Sequence, residues 1–166
     1  MMTYRNIKSN DRSGFTLIEV VVYLALFGIL FTGAVTGAYS ILESTGRNYT
    51  RAVMQEEGEF LLAKINWAVS NASTAQVPEG GVLMATVAGI DLEFKLSGTD
   101  LVLSRDAAAA LPLNGSEVTI NSDSLYFVDI TAAGSPGIKY GFDLAGKTSE
   151  GYEMVSSFES TAYLRK

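Results

Sequence analysis

Residues 14–42 read GFTLIEVVVYLALFGILFTGAVTGAYSIL. Apart from small residues and hydroxyls the stretch is apolar, and its one charged side chain is Glu19. The uncharged part, Val20 to Leu42, exceeds the ~20 residues a helix needs to cross a bilayer. Before it lies a short polar segment, Met1 to Gly14, with Arg5, Lys8 and Arg12 against Asp11. Arg47 and Arg51 follow the apolar run, so the excess of positive charge leans towards a cytoplasmic start and an outside C-terminal domain. Two ordinary readings fit these features: a plain single-pass anchor, and a secretory signal cut near Gly37 and Ala38. Neither accounts for an acid inside the first turn of the run.

Glu19 is the discriminating residue. An ionised carboxylate costs roughly 2.5–3.5 kcal/mol at the centre of a membrane helix, and less near the interface. Reaching up to the headgroups is one way to lower that cost; a fixed cation is another. Cleavage after Gly14 would free the amine of Phe15 one helical turn from Glu19, on the same or a neighbouring chain. A helix N-terminus adds a further preference for negative charge of about 0.3–1 kcal/mol.

The stretch Gly14-Phe15-Thr16-Leu17-Ile18-Glu19, preceded by Arg12 and followed by the apolar run, resembles the class III signal of type IV prepilins and type II secretion pseudopilins. The resemblance implies cutting after Gly14 by a membrane prepilin peptidase and methylation of the new N-terminus, Phe15. It implies that Glu19 pairs with a neighbour's N-terminus during assembly. The partners it implies are other pilin or pseudopilin subunits, the prepilin peptidase/methyltransferase, an inner-membrane assembly platform and the lipid bilayer. The chain departs from many major pilins in having no proline before Pro78. Gly28, Gly33 and Gly37 are the candidates to loosen the helix instead, each at about 1 kcal/mol relative to alanine. Gly33 and Gly37 also form a small-xxx-small pair that permits close helix packing.

Composition narrows the function classes. Apolar residues make up 48% of the 166, but they crowd into the N-terminal block and thin into short alternating runs later, as a membrane segment joined to an outer domain requires. A net charge of -6 disfavours nucleic acid as a partner. Without cysteine the chain can form neither a disulfide framework nor a thiolate metal site, and without histidine it lacks the usual general base. No cofactor or metal is expected, and the chain reads as non-enzymatic.

Helical patterning continues past the apolar block. Val53, Leu61, Ile65 and Val69 recur at multiples of four with Phe60 and Ala68 beside them, predicting one helix from Phe15 to about Asn71. Glu56, Glu57 and Glu59 read as a solvated face of it, with a subunit contact or a metal site as rival readings. Gly46 and Gly58 read as weak points. Residues 73–81 read as a loop. Leu92-Phe94-Leu96, the turn Ser97–Asp100 and Leu101–Leu103 predict a hairpin. Strands are further expected at Glu117–Ile120, Leu125–Ile130, Ile138–Leu144 and Phe158–Leu164, and Ala107–Ala110 reads as a connector. Ile138, Tyr140, Phe142 and Leu144 share one face, which suits a sheet packed against the helix stripe.

The fold expected is therefore α+β, a long N-terminal helix on a small antiparallel sheet. It divides into a leader (1–14), a transmembrane and assembly helix (15–42), its amphipathic continuation (43–71) and an outer head domain (72–166). Two possible ligand sites read as surface features: Asn121, Asp123 and Asp129 match no calcium-loop spacing, and Lys139, Lys147, Arg165 and Lys166 are scattered along an acidic chain. The function expected is a minor pilin or pseudopilin of a type IV pilus or type II secretion-like filament. It would be held single-pass in the inner membrane with its C-terminal domain outside, then drawn into the filament. The alternatives are a major pilin and an anchored or secreted binding module.

Overall fold

The computed structural model describes residues 14–78, 80–132, 135–148 and 150–165. Arg5, Lys8 and Arg12, with the rest of the expected leader before Gly14, lie outside the described residues, as does Lys166. The chain divides into two units between Leu42 and Glu43. One helix, α1 (Leu17–Asn71), contributes to both. Its N-cap is Thr16, whose carbonyl accepts from the Val20 N–H (3.2 Å) and whose hydroxyl accepts from the Glu19 N–H (3.4 Å). At the other end the Asn71 side chain donates back to the Trp67 carbonyl at 2.8 Å.

In the unit from Glu43 onward, α1 buries Thr50, Met54, Gly58, Leu61, Ile65, Ala68 and Val69. The expected stripe is corrected at its start: Val53 is half-buried, Phe60 is 46% exposed, and Thr50, Met54 and Gly58 take the inner positions. The cause is geometric. At 3.6 residues per turn a strict step of four drifts by roughly 40° each time, whereas alternating steps of three and four stay on one face.

Two antiparallel sheets replace the single small sheet expected. The first is five-stranded, in chain order: β1 (Thr74–Gln76), β2 (Leu83–Val87), β3 (Ile90–Ser97), β4 (Asp100–Arg105) and β5 (Leu111–Pro112). β1 is a correction to the loop expected there; Thr74 pairs with Thr86 and Gln76 with Met84. The hairpin expected at 92–103 is present, closing on Gly98 and Thr99 with Gly98 at φ 66°. Ala88 (φ 53°) and Gly89 (φ 83°) close the β2–β3 hairpin, both in the positive-φ region that a type I′ turn demands.

The second sheet is organised by β8 (Ser135–Lys147). Along one edge it pairs with β6 (Val118–Ile120) and β7 (Tyr126–Ala132), and along the other with β9 (Glu153–Tyr163). Asn114 joins the two sheets. Buried at 8% exposure, its side-chain oxygen accepts from the Leu101 N–H of the first sheet (2.8 Å), and its amide donates to the Val118 carbonyl of the second (3.1 Å).

The core lies between α1 and these sheets. Ile138, Tyr140, Phe142 and Leu144 face inward from β8 as their alternation predicts, and all are buried. Tyr140 donates from its hydroxyl to the Leu62 carbonyl of α1 (3.2 Å), so the one polar atom of the most buried aromatic is satisfied. Two glycines allow helix and sheet to close together. A Cβ at Gly146 of β8 would sit 3.0 Å from the Met54 sulfur, and one at Gly58 of α1 would sit 2.2 Å from Cζ of Phe158. Gly58 is thus a packing requirement and not the weak point its residue type suggested.

Candidate functional site

The N-terminal unit carries the candidate site. From Phe15 to Leu42 every large apolar side chain is exposed, from 37% at Val35 to 84% at Leu17. The helix there is apolar on all sides, with no polar face to turn to water. Such a surface requires lipid or other helices around it. Its most apolar window has a mean hydropathy of 2.2 and is long enough to cross a membrane by length and composition.

Within that surface Glu19 is partly buried, and its partner is local. The Tyr23 hydroxyl, one turn on, donates to Glu19 Oε1 at 2.9 Å. The Phe15 ring stands edge-on to the same tyrosine, 6.3 Å between centroids and 77° between planes. Among the described residues no cation approaches Glu19, and its Oε2 has no hydrogen-bond donor. Tyr23 was missed by sequence reasoning, although its i+4 spacing from an acid is a legible signal. Gly14 and Phe15 precede the helix as irregular, exposed chain, and nothing lies within 4 Å of where a Gly14 Cβ would be.

Gly28, Gly33 and Gly37 are likewise open on the helix surface. Around them the Thr32 hydroxyl donates to the Gly28 carbonyl (2.8 Å) and the Thr36 hydroxyl to the Thr32 carbonyl (2.9 Å). Hydroxyls that share i−4 carbonyls in this way soften and bend helices.

Residues 9–35 match the family described as the prokaryotic N-terminal methylation motif, the prepilin-type signal. The chain carries a prepilin-type N-terminal signal. Neither a curated protein nor a solved structure matched the chain. The type IV pilins and pseudopilins that bear this signal are structural and not enzymatic, processed by a prepilin peptidase and assembled with other pilins. The apolar helix behind the motif is consistent with residence in the inner membrane and then in a pilus.

The remaining polar side chains make local contacts. Asn121 accepts from the Asp123 N–H (3.3 Å), and Asp129 accepts from the Val77 N–H (3.3 Å). Among the described residues no three acidic groups gather as a metal site would need. Of the acidic cluster on α1, Glu57 reaches the Gly115 N–H at 3.3 Å. Lys139 is held by Glu159 at 2.8 Å, and Glu159 also accepts from the Tyr126 hydroxyl at 2.6 Å. That cluster lowers the Glu159 pKa, through Lys139 first and Tyr126 second, and raises those of Lys139 and Tyr126, each chiefly through its hydrogen bond to Glu159.

Proposed function

We propose that the chain is a minor pilin or pseudopilin, cut between Gly14 and Phe15 and assembled through Glu19. In this reading residues 1–14 are the leader, 15–42 the membrane and assembly helix, 43–71 its amphipathic continuation and 72–166 the outer head domain. The mature Phe15 amine of one subunit meets the Glu19 carboxylate of the next, replacing lipid contacts with a neutralised pair. Arrival of a protein helix beside the apolar surface covers it at the same time. Gly28, Gly33 and Gly37 supply the close approach and the local give that packing many such helices needs.

One observation carries the reading: a single carboxylate stands in the otherwise uncharged, apolar stretch 15–42, and among the described residues it holds only a tyrosine hydroxyl. A hydroxyl leaves the charge uncompensated. An ammonium would compensate it, and Oε2 is open to receive one. The absence of cysteine, hence of a disulfide bracing the C-terminal region, supports a minor subunit or pseudopilin over a major pilin.

The test is to express Glu19→Val and Glu19→Asp beside the wild-type subunits of the filament and quantify each in sheared filaments. Both variants are expected to be processed. Glu19→Val is expected to be depleted at least tenfold from filaments, and Glu19→Asp to be depleted less. Equal incorporation of Glu19→Val would remove the pairing step from the account.

A further inference from the structure

The outer edge of β9 is the feature that the assembly reading leaves unused. Its geometry follows from the two ends of the β8–β9 ladder. The Thr148 N–H donates to the Tyr152 carbonyl (2.9 Å) and the Leu164 N–H to the Pro136 carbonyl (3.0 Å). Both pairs continue the register that runs unbroken from Lys147 opposite Glu153 to Gly137 opposite Tyr163. Bonded and non-bonded pairs alternate in an antiparallel ladder. The even-numbered residues of β9 therefore bond to β8. Odd-numbered residues, from Glu153 to Tyr163, direct their N–H and C=O groups away from the sheet.

Among the described residues nothing receives those groups. β8 is the one strand that pairs with β9, and no other backbone hydrogen bond reaches residues 153–163. The remaining edges of the head are shorter: β1 and β6 have 3 residues each, β5 has 2 and ends on Pro112, and β7, which pairs with β8 alone, has 7. β9 has 11 residues, no proline, no lysine or arginine and no bulge. Edges that must stay free are normally guarded by one of those devices or by other charged side chains. β9 has only Glu153 and Glu159.

We infer that β9 is a docking edge for an extended, basic strand of another protein, which adds antiparallel to the sheet. Charge selects the partner. The exposed rim of β9 carries Glu153 and Glu159 and no cation of its own; Lys139 of β8 already holds Glu159, so Glu153 and the net charge of -6 on the chain make a strand bearing lysine or arginine on its exposed face the complementary one. A second copy of β9 would bring two more acids and no cation. Subunits added successively to one filament also share an orientation, so their β9 strands could not meet antiparallel. That last point alone rests on the proposed function.

The experiment uses the full-length protein in detergent micelles and a fluorescent, capped eleven-residue peptide of alternating lysine and valine. Controls are the same peptide N-methylated on alternate amides, and one with glutamate for lysine. Anisotropy is expected to show saturable binding of the lysine peptide, weakened at least tenfold by N-methylation and by the glutamate exchange. Ser157→Pro removes an outward N–H without touching the β8 ladder, so it is expected to keep the wild-type melting temperature and lose at least tenfold in binding. Should Ser157→Pro unfold, Thr161→Lys sets a guarding cation on the same rim and is expected to give the same loss. On binding, amides of the odd-numbered residues are expected to gain hydrogen-exchange protection.

Equal binding of the N-methylated peptide would mean attraction by charge alone and would overturn the proposal. So would failure of the lysine peptide to bind, or self-association of the protein through β9. None of these readouts involves processing or filaments, so the result stands apart from the fate of the pilin reading.

Discussion

Gly58→Ala puts the helix-to-sheet packing to a quantitative test. Alanine is the better helix former by about 1 kcal/mol, and in an exposed helix the change would stabilise by that amount. At this site the new Cβ would lie 2.2 Å from Cζ, 2.3 Å from Cε1 and 2.6 Å from Cε2 of Phe158. Carbon atoms rest about 3.5–4.0 Å apart, so the ring would have to retreat by more than about 1 Å. It has little room. Phe158 is 9% exposed and stacks on Phe142 at 5.7 Å between centroids. Overpacking of this kind costs about 1–3 kcal/mol, which outweighs the helix gain and leaves a net loss of about 0–2 kcal/mol. Phe158→Leu deletes all three obstructing atoms. In that background Gly58→Ala is expected to change sign and stabilise by up to about 1 kcal/mol, a coupling of about 1–3 kcal/mol between the two sites. Urea unfolding of the four proteins, followed by near-ultraviolet circular dichroism, measures it. If Gly58→Ala raises stability equally in both backgrounds, the ring does not lie against Gly58 and the packing described here is wrong.

Three further outcomes are expected. Gly14→Val is expected to accumulate as uncut precursor, visible as a slower band by immunoblot, since the chain at the cut must enter a narrow site in extended form. Asn114→Ala leaves the Leu101 N–H and Val118 carbonyl without their partner and is expected to cost about 1–3 kcal/mol of head stability in the same urea assay. Acid is expected to weaken the head slightly through Glu159. Its folded pKa is depressed by Lys139, so its contribution is complete above the usual carboxylate range and is lost as pH falls through the lowered value. The raised pKa values of Lys139 and Tyr126 act at the other end, where their contribution disappears as pH rises past them. Glu159→Gln is expected to flatten both limbs.

Much of the α+β architecture was legible because it rests on long-period signals. The apolar run from Val20 to Leu42 needs only composition to be read, and the β8 face needs only alternation of Ile138, Tyr140, Phe142 and Leu144. What escaped was set by tertiary contact. Gly58 looks like a helix weakness until Phe158, a hundred residues on, is known to lie against it. β1 and β2 escaped because Thr74–Gln76 and Leu83–Val87 are short and flank Pro78, Gly80 and Gly81. Only pairing, of β1 with β2 and of β2 with β3, makes strands of them. The four-way role of Asn114 between two sheets has no local signature. At the candidate site, residue types and spacing were readable directly. The Tyr23 hydroxyl on Glu19 was within reach of an i+4 argument that the acid's more conspicuous neighbour, Phe15, displaced.

The most direct test is the mass of the N-terminal peptide from protein isolated out of its native membrane. The account predicts a chain beginning at Phe15 and carrying one added methyl group. A chain that retains Met1, or one that starts near Ala38, would contradict it.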